Sequence, residues 1–215
     1  ILAGVDEAIA GCRTAIALIK RYYADNADEV ARFGNFPSPY AGLVTGDGSL
    51  EHYDGRMRFV DAEGKLLEEI DPADYLDVVA ETTEEWSYLK FPYYKKLGYP
   101  EGAYRVGPLG RLNVAESART PLANEELNSF KAVGGGRPVQ GTLYYHYARM
   151  IEALYAVERA RQLLEEPEIM GGDIVAPYRD LQPRGVGVIE APRGTLFHDY
   201  HVDENGRLEK VNLIV

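Results

Sequence analysis

Across residues 1–33 the apolar positions Val5, Ile9, Cys12, Ile16, Ile19 and Tyr23 recur at alternating spacings of four and three. That spacing lays one apolar stripe along a helix, and Gly34 stands where such a helix can close. From Tyr40 to Ile70 the pattern changes to short runs divided by Gly46-Asp47-Gly48, Asp54-Gly55 and Glu63-Gly64. Arg56-Met57-Arg58-Phe59-Val60 alternates polar and apolar between two of these turns, which predicts an antiparallel meander. Asp71-Pro72 and Thr120-Pro121 each read as a helix start, with the polar residue as N-cap and proline at the first helical position. Between them, residues 86–119 are aromatic and glycine-rich with weak periodicity, and packed irregular structure is expected there.

Val133-Gly134-Gly135-Gly136-Arg137-Pro138 breaks the second of these helices. A long helix is predicted from about Gly141 to Glu165, with Leu143, Tyr147, Met150, Leu154, Val157 and Leu164 on one stripe and Pro167 closing it. Residues 177–183 read as a polar connector. The remainder predicts a hairpin from Gly185 to Glu190, a Pro192-Arg193-Gly194 corner, and Thr195 to Val202. A turn at Asp203-Glu204-Asn205-Gly206 then leads into a returning strand. The fold class expected is α+β, in four stretches: a helix over 1–34, a β meander over 35–71, a helical part over 72–183 and a β-hairpin over 184–215.

Composition narrows the function. With 46% hydrophobic and 27% charged residues the chain has an ordinary globular mix, and 215 residues suffice for a real core. A formal charge of −11 argues against nucleic acid or an anionic membrane as partner. No apolar run approaches the ~20 residues that span a bilayer. The single cysteine excludes a disulfide framework and fits a reducing compartment. One cysteine and four histidines also make no cysteine-rich metal site. Ile1-Leu2-Ala3-Gly4 begins without Met or a basic leader, and Val211-Asn212-Leu213-Ile214-Val215 breaks off in mid-strand, so the chain is expected to be the interior of a longer polypeptide.

Several signatures are missing. Gly134-Gly135-Gly136 lacks the preceding strand and following lysine of a phosphate loop, and there is neither a Gly-x-Ser-x-Gly elbow nor a His-Glu-x-x-His. Cys12 lies on the apolar stripe and reads as a buried small residue. His146, beside Tyr145 and Tyr147, reads as packed or surface-exposed, and His52 and His201 sit in strand-like runs without companions. The exception is Glu190-Ala191-Pro192-Arg193-Gly194-Thr195-Leu196-Phe197-His198. Proline fixes a corner just before the arginine, and glycine after it permits close approach to the backbone. The guanidinium so held suits an anionic or polarised diatomic ligand, because its donors point in fixed directions. A structural ion pair at a hairpin corner is the other reading of the same residues.

That segment, with the turn at Asn205-Gly206, resembles the Pro-Arg-Gly-x-Leu-x-His signature in the C-terminal part of nickel–iron hydrogenase large subunits. Phe33-Gly34-Asn35-Phe36-Pro37-Ser38 with Gly42-Leu43-Val44, Trp86 to Pro92, and Tyr104-Arg105-Val106-Gly107-Pro108-Leu109 look like its cytoplasmic, nicotinamide- or deazaflavin-linked branch. The helix from His146-Tyr147-Ala148-Arg149 has the same character. The likeness spans nearly the whole chain, and the bidirectional NAD-coupled type fits it best.

The resemblance implies a cytoplasmic large subunit whose nickel and iron are held by four thiolates, one Cys-x-x-Cys near each end, with cyanide and carbon monoxide on the iron. It implies two partners, a diaphorase module and an iron–sulfur small subunit, with electrons passing to NAD(P) or a similar soluble acceptor. By the same motif Arg193 is the candidate proton acceptor or electrostatic stabiliser, and Pro192 and Arg193 line the pocket around the diatomic ligands. His198 is either a satisfied core histidine or a hydrogen-bond donor to a thiolate. Leu213, placed by the turn at Gly206, is the candidate to offer a backbone carbonyl to magnesium.

The chain departs from that family in having no Cys-x-x-Cys, so alone it is expected to bind neither metal and to be inactive. Gly110 stands where relatives often carry alanine, a minor change by sequence. The rival readings are the nickel-free quinone-site subunit of respiratory complex I, which shares the Pro-Arg-Gly corner, and a non-catalytic scaffold of the same fold.

Overall fold

The computed structural model of the chain describes residues 2–172, 174–175 and 181–215. The first predicted helix forms as α1 (Leu2–Asp25) and a short α2 (Ala27–Arg32), interrupted at Asn26. There the Asn26 side chain donates to the Tyr22 carbonyl at 2.8 Å, competing with the helical ladder. The predicted stripe is the buried one: Val5 and Ile16 are covered, and Ile9, Cys12, Ile19 and Tyr23 pack on the core. Gly34 closes the turn at φ +55, where a Cβ would collide with the Thr142 hydroxyl.

The meander forms as β1 (Tyr40–Val44), β2 (Arg56–Val60) and β3 (Leu66–Ile70), antiparallel throughout. All of β1 is buried because both its faces are used. Tyr40 and Val44 enter a helical core with Leu109, Leu112, Leu127, Phe130 and Ile151, whereas Ala41 and Leu43 enter a sheet core with Met57, Phe59, Tyr75 and Phe197. The strand's two-residue period thus divides one segment between two cores. Gly42 lies between, and a Cβ there would press to 3.1 Å on the Arg111 Cα, so its absence lets the next helix lie close against β1.

At Asp71 the cap is real, with the carboxylate accepting from Ala73 N at 2.9 Å, but the helix is brief. A 3-10 turn (Pro72–Asp74) and α3 (Tyr75–Val78) lead straight into β4 (Val79–Thr83), which pairs with β5 (Lys90–Tyr94). The stretch expected to be irregular from residue 86 therefore holds a strand. Pro92 obscures it, since proline is rare in strands except at edges, and β5 is the edge of a two-stranded sheet. The Tyr99–Pro100 peptide is cis. Residues 107–114 form α4 (Gly107–Val114), hidden in the sequence by two glycines and a proline.

Helix α5 (Pro121–Val133) starts where predicted, but Thr120 does not cap it. The Thr120 hydroxyl instead donates to Glu158 at 2.6 Å, and Glu158 accepts from Leu122 N at 3.0 Å and Ala123 N at 2.9 Å. A buried carboxylate from another helix thus satisfies the orphan N–H groups and meets the positive end of the helix dipole. That helix is α6 (Tyr144–Glu165), whose buried face is wider than the apolar stripe and includes Glu152 and Glu158. The connector over 177–183 lies largely outside the described residues. The last segment is a three-stranded antiparallel sheet, β6 (Arg184–Glu190), β7 (Thr195–Val202) and β8 (Leu208–Ile214). The architecture is α+β, long helices with small antiparallel sheets, as expected. Among the described residues no helix is long and apolar enough to cross a membrane.

Candidate active site

Glu190 and Thr195 are register partners that close the β6–β7 hairpin, and Ala191 N donates to the Gly194 carbonyl at 2.8 Å. Pro192 and Arg193 are therefore held at the tip of a four-residue corner. The clamp beneath it is a buried ionic cluster. Arg111 on α4 is the largest fully buried side chain. Its Nε and Nη2 meet Glu152 Oε1 and Oε2 at 2.5 and 2.8 Å, while Nη1 reaches Glu190 Oε2 at 2.8 Å and the Ala191 carbonyl at 2.9 Å. Glu190 in turn accepts from Leu43 N at 2.8 Å and the Thr195 hydroxyl at 2.9 Å, and its own N–H donates to the His52 carbonyl at 2.8 Å. One guanidinium so ties α6 to the hairpin corner, and Glu190 carries the link on to β1.

The cluster holds two carboxylates and one guanidinium, with His52 Nε2 3.5 Å from Glu152 Oε1. Burial, the largest single influence, would raise the Glu152 pKa, but the hydrogen bonds and attraction of Arg111 together with those of His52 outweigh it and hold the carboxyl below its usual range. For Arg111, burial pulls down and the Glu152 and Glu190 carboxylates push up more strongly, so its pKa is raised. Both stay charged because each satisfies the other.

Gly107 supports the corner from the other side. It has φ +75, and a Cβ on it would collide with the Arg193 carbonyl oxygen. Gly110, one turn on, has no room either: a Cβ would lie 2.7 Å from the Arg105 oxygen and 2.8 Å from that of Ala41. In this chain glycine at 110 is a packing requirement rather than a minor change.

Arg193 itself is exposed and makes no hydrogen bond or ion pair among the described residues. It opens on a cavity of about 830 Å³ lined by Tyr104, Val106, Arg149, Pro192 and Leu196 among others, with no acidic side chain in the wall. The Tyr104 ring stands edge-on to Phe59 at 5.3 Å, and its hydroxyl is buried without a partner. Burial drives the Tyr104 pKa up, so the hydroxyl is a donor in want of an acceptor.

His198 is placed elsewhere. It sits on the half-exposed face of β7 with Leu196 and Tyr200, its Nδ1 2.8 Å from the Tyr200 hydroxyl. It lines a separate cavity of about 610 Å³ with Tyr53, Asp71 and Val188. Leu213 is its register partner on β8 and is half exposed. Cys12 is partly covered on α1, away from both cavities, and burial raises its thiol pKa. Among the described residues no group of three or more His, Cys, Asp or Glu is placed to hold a metal.

A fold of this kind around a pinned Pro-Arg-Gly corner defines a family, and the model for nickel-dependent hydrogenases matches residues 45–215. The chain belongs to that family. It is 45% identical over its whole length to a vhu-type F420-non-reducing hydrogenase polypeptide of Methanococcus voltae, covering 51% of that protein. It is 41% identical over its whole length to the beta subunit of the NAD-reducing hydrogenase HoxS of Cupriavidus necator, covering 44% of it. The crystal structure of an NAD+-reducing nickel–iron hydrogenase in its H2-reduced state superposes on the whole chain with a TM-score of 0.93 at 41% identity, 48% of that chain being covered. The chain thus spans about half the length of the curated relatives it matches.

Arg111, Glu152, Gly107, Tyr104 and Arg149 were not singled out as site residues from the sequence. The available signals were an arginine between the apolar residues Leu109 and Leu112 and a glutamate on the apolar face of α6. A charge in such a place demands a partner.

Proposed function

We propose that this chain is the central wall of a hydrogenase large subunit whose whole protein oxidises H2 reversibly. Its electrons would leave through iron–sulfur clusters of a small subunit to NAD(P), by way of a diaphorase module, or to another soluble acceptor in the cytoplasm. The observation that carries this is the Arg193 guanidinium, set on a corner clamped by Arg111 with no partner among the described residues, over a cavity with no acidic side chain in its wall. That wall fits an anionic group rich in hydrogen-bond acceptors, because Arg149 and Arg193 border the cavity and neither side chain has a partner among the described residues. A nickel–iron centre with thiolate ligands and cyanide and carbon monoxide on the iron is such a group. Cys12, facing the helical core, is not among its ligands, so the thiolates come from the flanking parts of the protein.

When bound, the centre supplies heterolytic cleavage of hydrogen. The residues of this chain do the rest of what it contributes. Pro192 and Arg193 border the diatomic ligands. Arg193 acts as a fixed positive charge and donor, since a guanidinium already carries its proton across the ordinary pH range and is a poor base. Leu196, between the two cavities, presents apolar surface that excludes water. His198 and Leu213, paired across β7 and β8, are the candidates for hydrogen bonding to a thiolate and for a carbonyl contact to magnesium.

Arg193→Lys in the full-length protein tests this. Lysine keeps the charge but loses the planar fork, so nickel and iron content should stay near normal while hydrogen turnover falls by orders of magnitude. Turnover close to that of the unaltered enzyme would overturn the role given to Arg193.

A further inference from the structure

The cavity holds a second cation that the corner motif does not explain. Arg149 lies on α6, where Tyr145, Arg149 and Glu152 follow one another at spacings of four and three and so share one side of the helix. Both neighbours are fixed. The Tyr145 hydroxyl donates to the Val106 carbonyl at 3.0 Å, and Glu152 is held in a two-pronged pair with Arg111. Glu152 is the nearest carboxylate along the helix that could have answered Arg149, and Arg111 already occupies both its oxygens. Arg149 forms no hydrogen bond or ion pair among the described residues, although it is half buried. It borders the same cavity as Arg193 and Tyr104.

In a chain of net charge −11, a pocket with no acidic side chain in its wall and two arginines that lack partners among the described residues is not a chance surface. Half-burying an unpaired cation costs free energy unless an anion answers it. Surface arginines that lack a partner point into water, whereas this one borders the cavity on which Arg193, also without a partner among the described residues, opens.

We propose that Arg149 is a second anion-contacting residue of the site, its guanidinium donating hydrogen bonds to the acceptor atoms of the anionic centre that Arg193 also faces. This rests on the reading of the cavity given above. In that reading α6 does more than pack: it carries the clamp for Arg193 at Glu152 and, one turn earlier, a second donor of its own. Arg149 would then tune the electron density of the bound group from the helix side of the wall, independently of the Pro-Arg-Gly corner.

The test uses the full-length, metal-loaded protein with Arg149→Met and Arg149→Lys. Nickel and iron content and the infrared stretching bands of the cyanide ligands are read before any activity. Removing a donor from a cyanide nitrogen displaces its band, so Arg149→Met is expected to shift the cyanide bands at normal metal content. Arg149→Lys is expected to shift them less. Turnover should fall by about tenfold to a hundredfold in Arg149→Met, the equivalent of one charged hydrogen bond. Loss of both metals from an Arg149→Met protein that keeps its helical circular dichroism, with rescue in Arg149→Lys, would equally support an anion-holding role. Unshifted bands at normal metal content in Arg149→Met would overturn the inference and leave the hydrogenase reading intact. An unaltered protein without nickel, iron or cyanide bands would overturn both.

Discussion

Replacing Arg111 by methionine would remove the guanidinium that answers two buried carboxylates while keeping much of its volume. The Arg111 and Glu190 side chains are 1% and 0% exposed and that of Glu152 is 10%, so solvent cannot take over the lost partner. Four hydrogen bonds vanish together, two to Glu152, one to Glu190 and one to the Ala191 carbonyl. Breaking a buried pair by removing one member costs about 3–5 kcal/mol, mostly as the desolvation of the charge left behind. The assay is urea denaturation of the chain followed by far-ultraviolet circular dichroism, at several pH values. In the unaltered chain the folded-state pKa of Glu152 is depressed, so its contribution to stability is present above the unfolded value of about 4.3 and is lost as pH falls through the lower folded one. Without Arg111, burial dominates and the folded pKa rises above the unfolded value. Its penalty then grows as pH rises through that folded value, and shrinks on acidification. The variant should therefore be less stable by about 3–5 kcal/mol at pH 7, with the deficit narrowing toward about pH 5. A triple variant, Arg111→Met with Glu152→Gln and Glu190→Gln, should recover a good part of the loss. A deficit under about 1 kcal/mol, independent of pH, would refute the view that this cluster is a paired and desolvated clamp.

Gly107→Ala should destabilise the chain by about 1–3 kcal/mol, because the position needs positive φ and the new methyl meets the Arg193 carbonyl. In the full-length protein it should also reduce turnover by displacing the corner, which a comparison with the neutral surface change Glu101→Gln would show. Glu158→Ala should cost about 1–3 kcal/mol by uncapping α5 and leaving the Thr120 hydroxyl and two N–H groups unanswered. Hydrogen exchange localises that effect, with faster exchange expected in the first turn of α5 rather than in the sheets. Trp86 and Tyr88, 75% and 97% exposed on the β4–β5 hairpin, should drive self-association of the isolated chain, seen as concentration-dependent mass in sedimentation and relieved by Trp86→Ser with Tyr88→Ser.

The parts of the fold legible in the sequence were those in which period and burial coincide. The α1 stripe and the α6 helix place apolar residues at their natural spacing against one core, and the β1–β3 meander keeps its two-residue period even though β1 serves two. The β4–β5 hairpin and α4 were obscured because their backbones are exceptional. Pro92 sits in an edge strand, and Gly107 and Gly110 open a helix by letting it touch the Arg193, Arg105 and Ala41 carbonyls. The Pro-Arg-Gly corner could be seen as a motif, since rigidity there is a property of adjacent residues. The clamp beneath it could not, because Arg111, Glu152 and Glu190 are brought together only by the packing of α4, α6 and β6. Thr120 illustrates the same limit on a smaller scale: its place before Pro121 announced the helix start, yet the cap comes from Glu158, 38 residues later.

The central claim is tested most directly by exposing the full-length protein to D2 in ordinary water and following HD and H2 by mass spectrometry, with no electron acceptor present. A protein of this family with an assembled nickel–iron centre should exchange the isotopes, contain both metals, and lose nearly all exchange in Arg193→Lys. A full-length protein that carries neither nickel nor iron and releases no HD would contradict the account, and would leave the clamped corner as a structural feature of a non-catalytic relative.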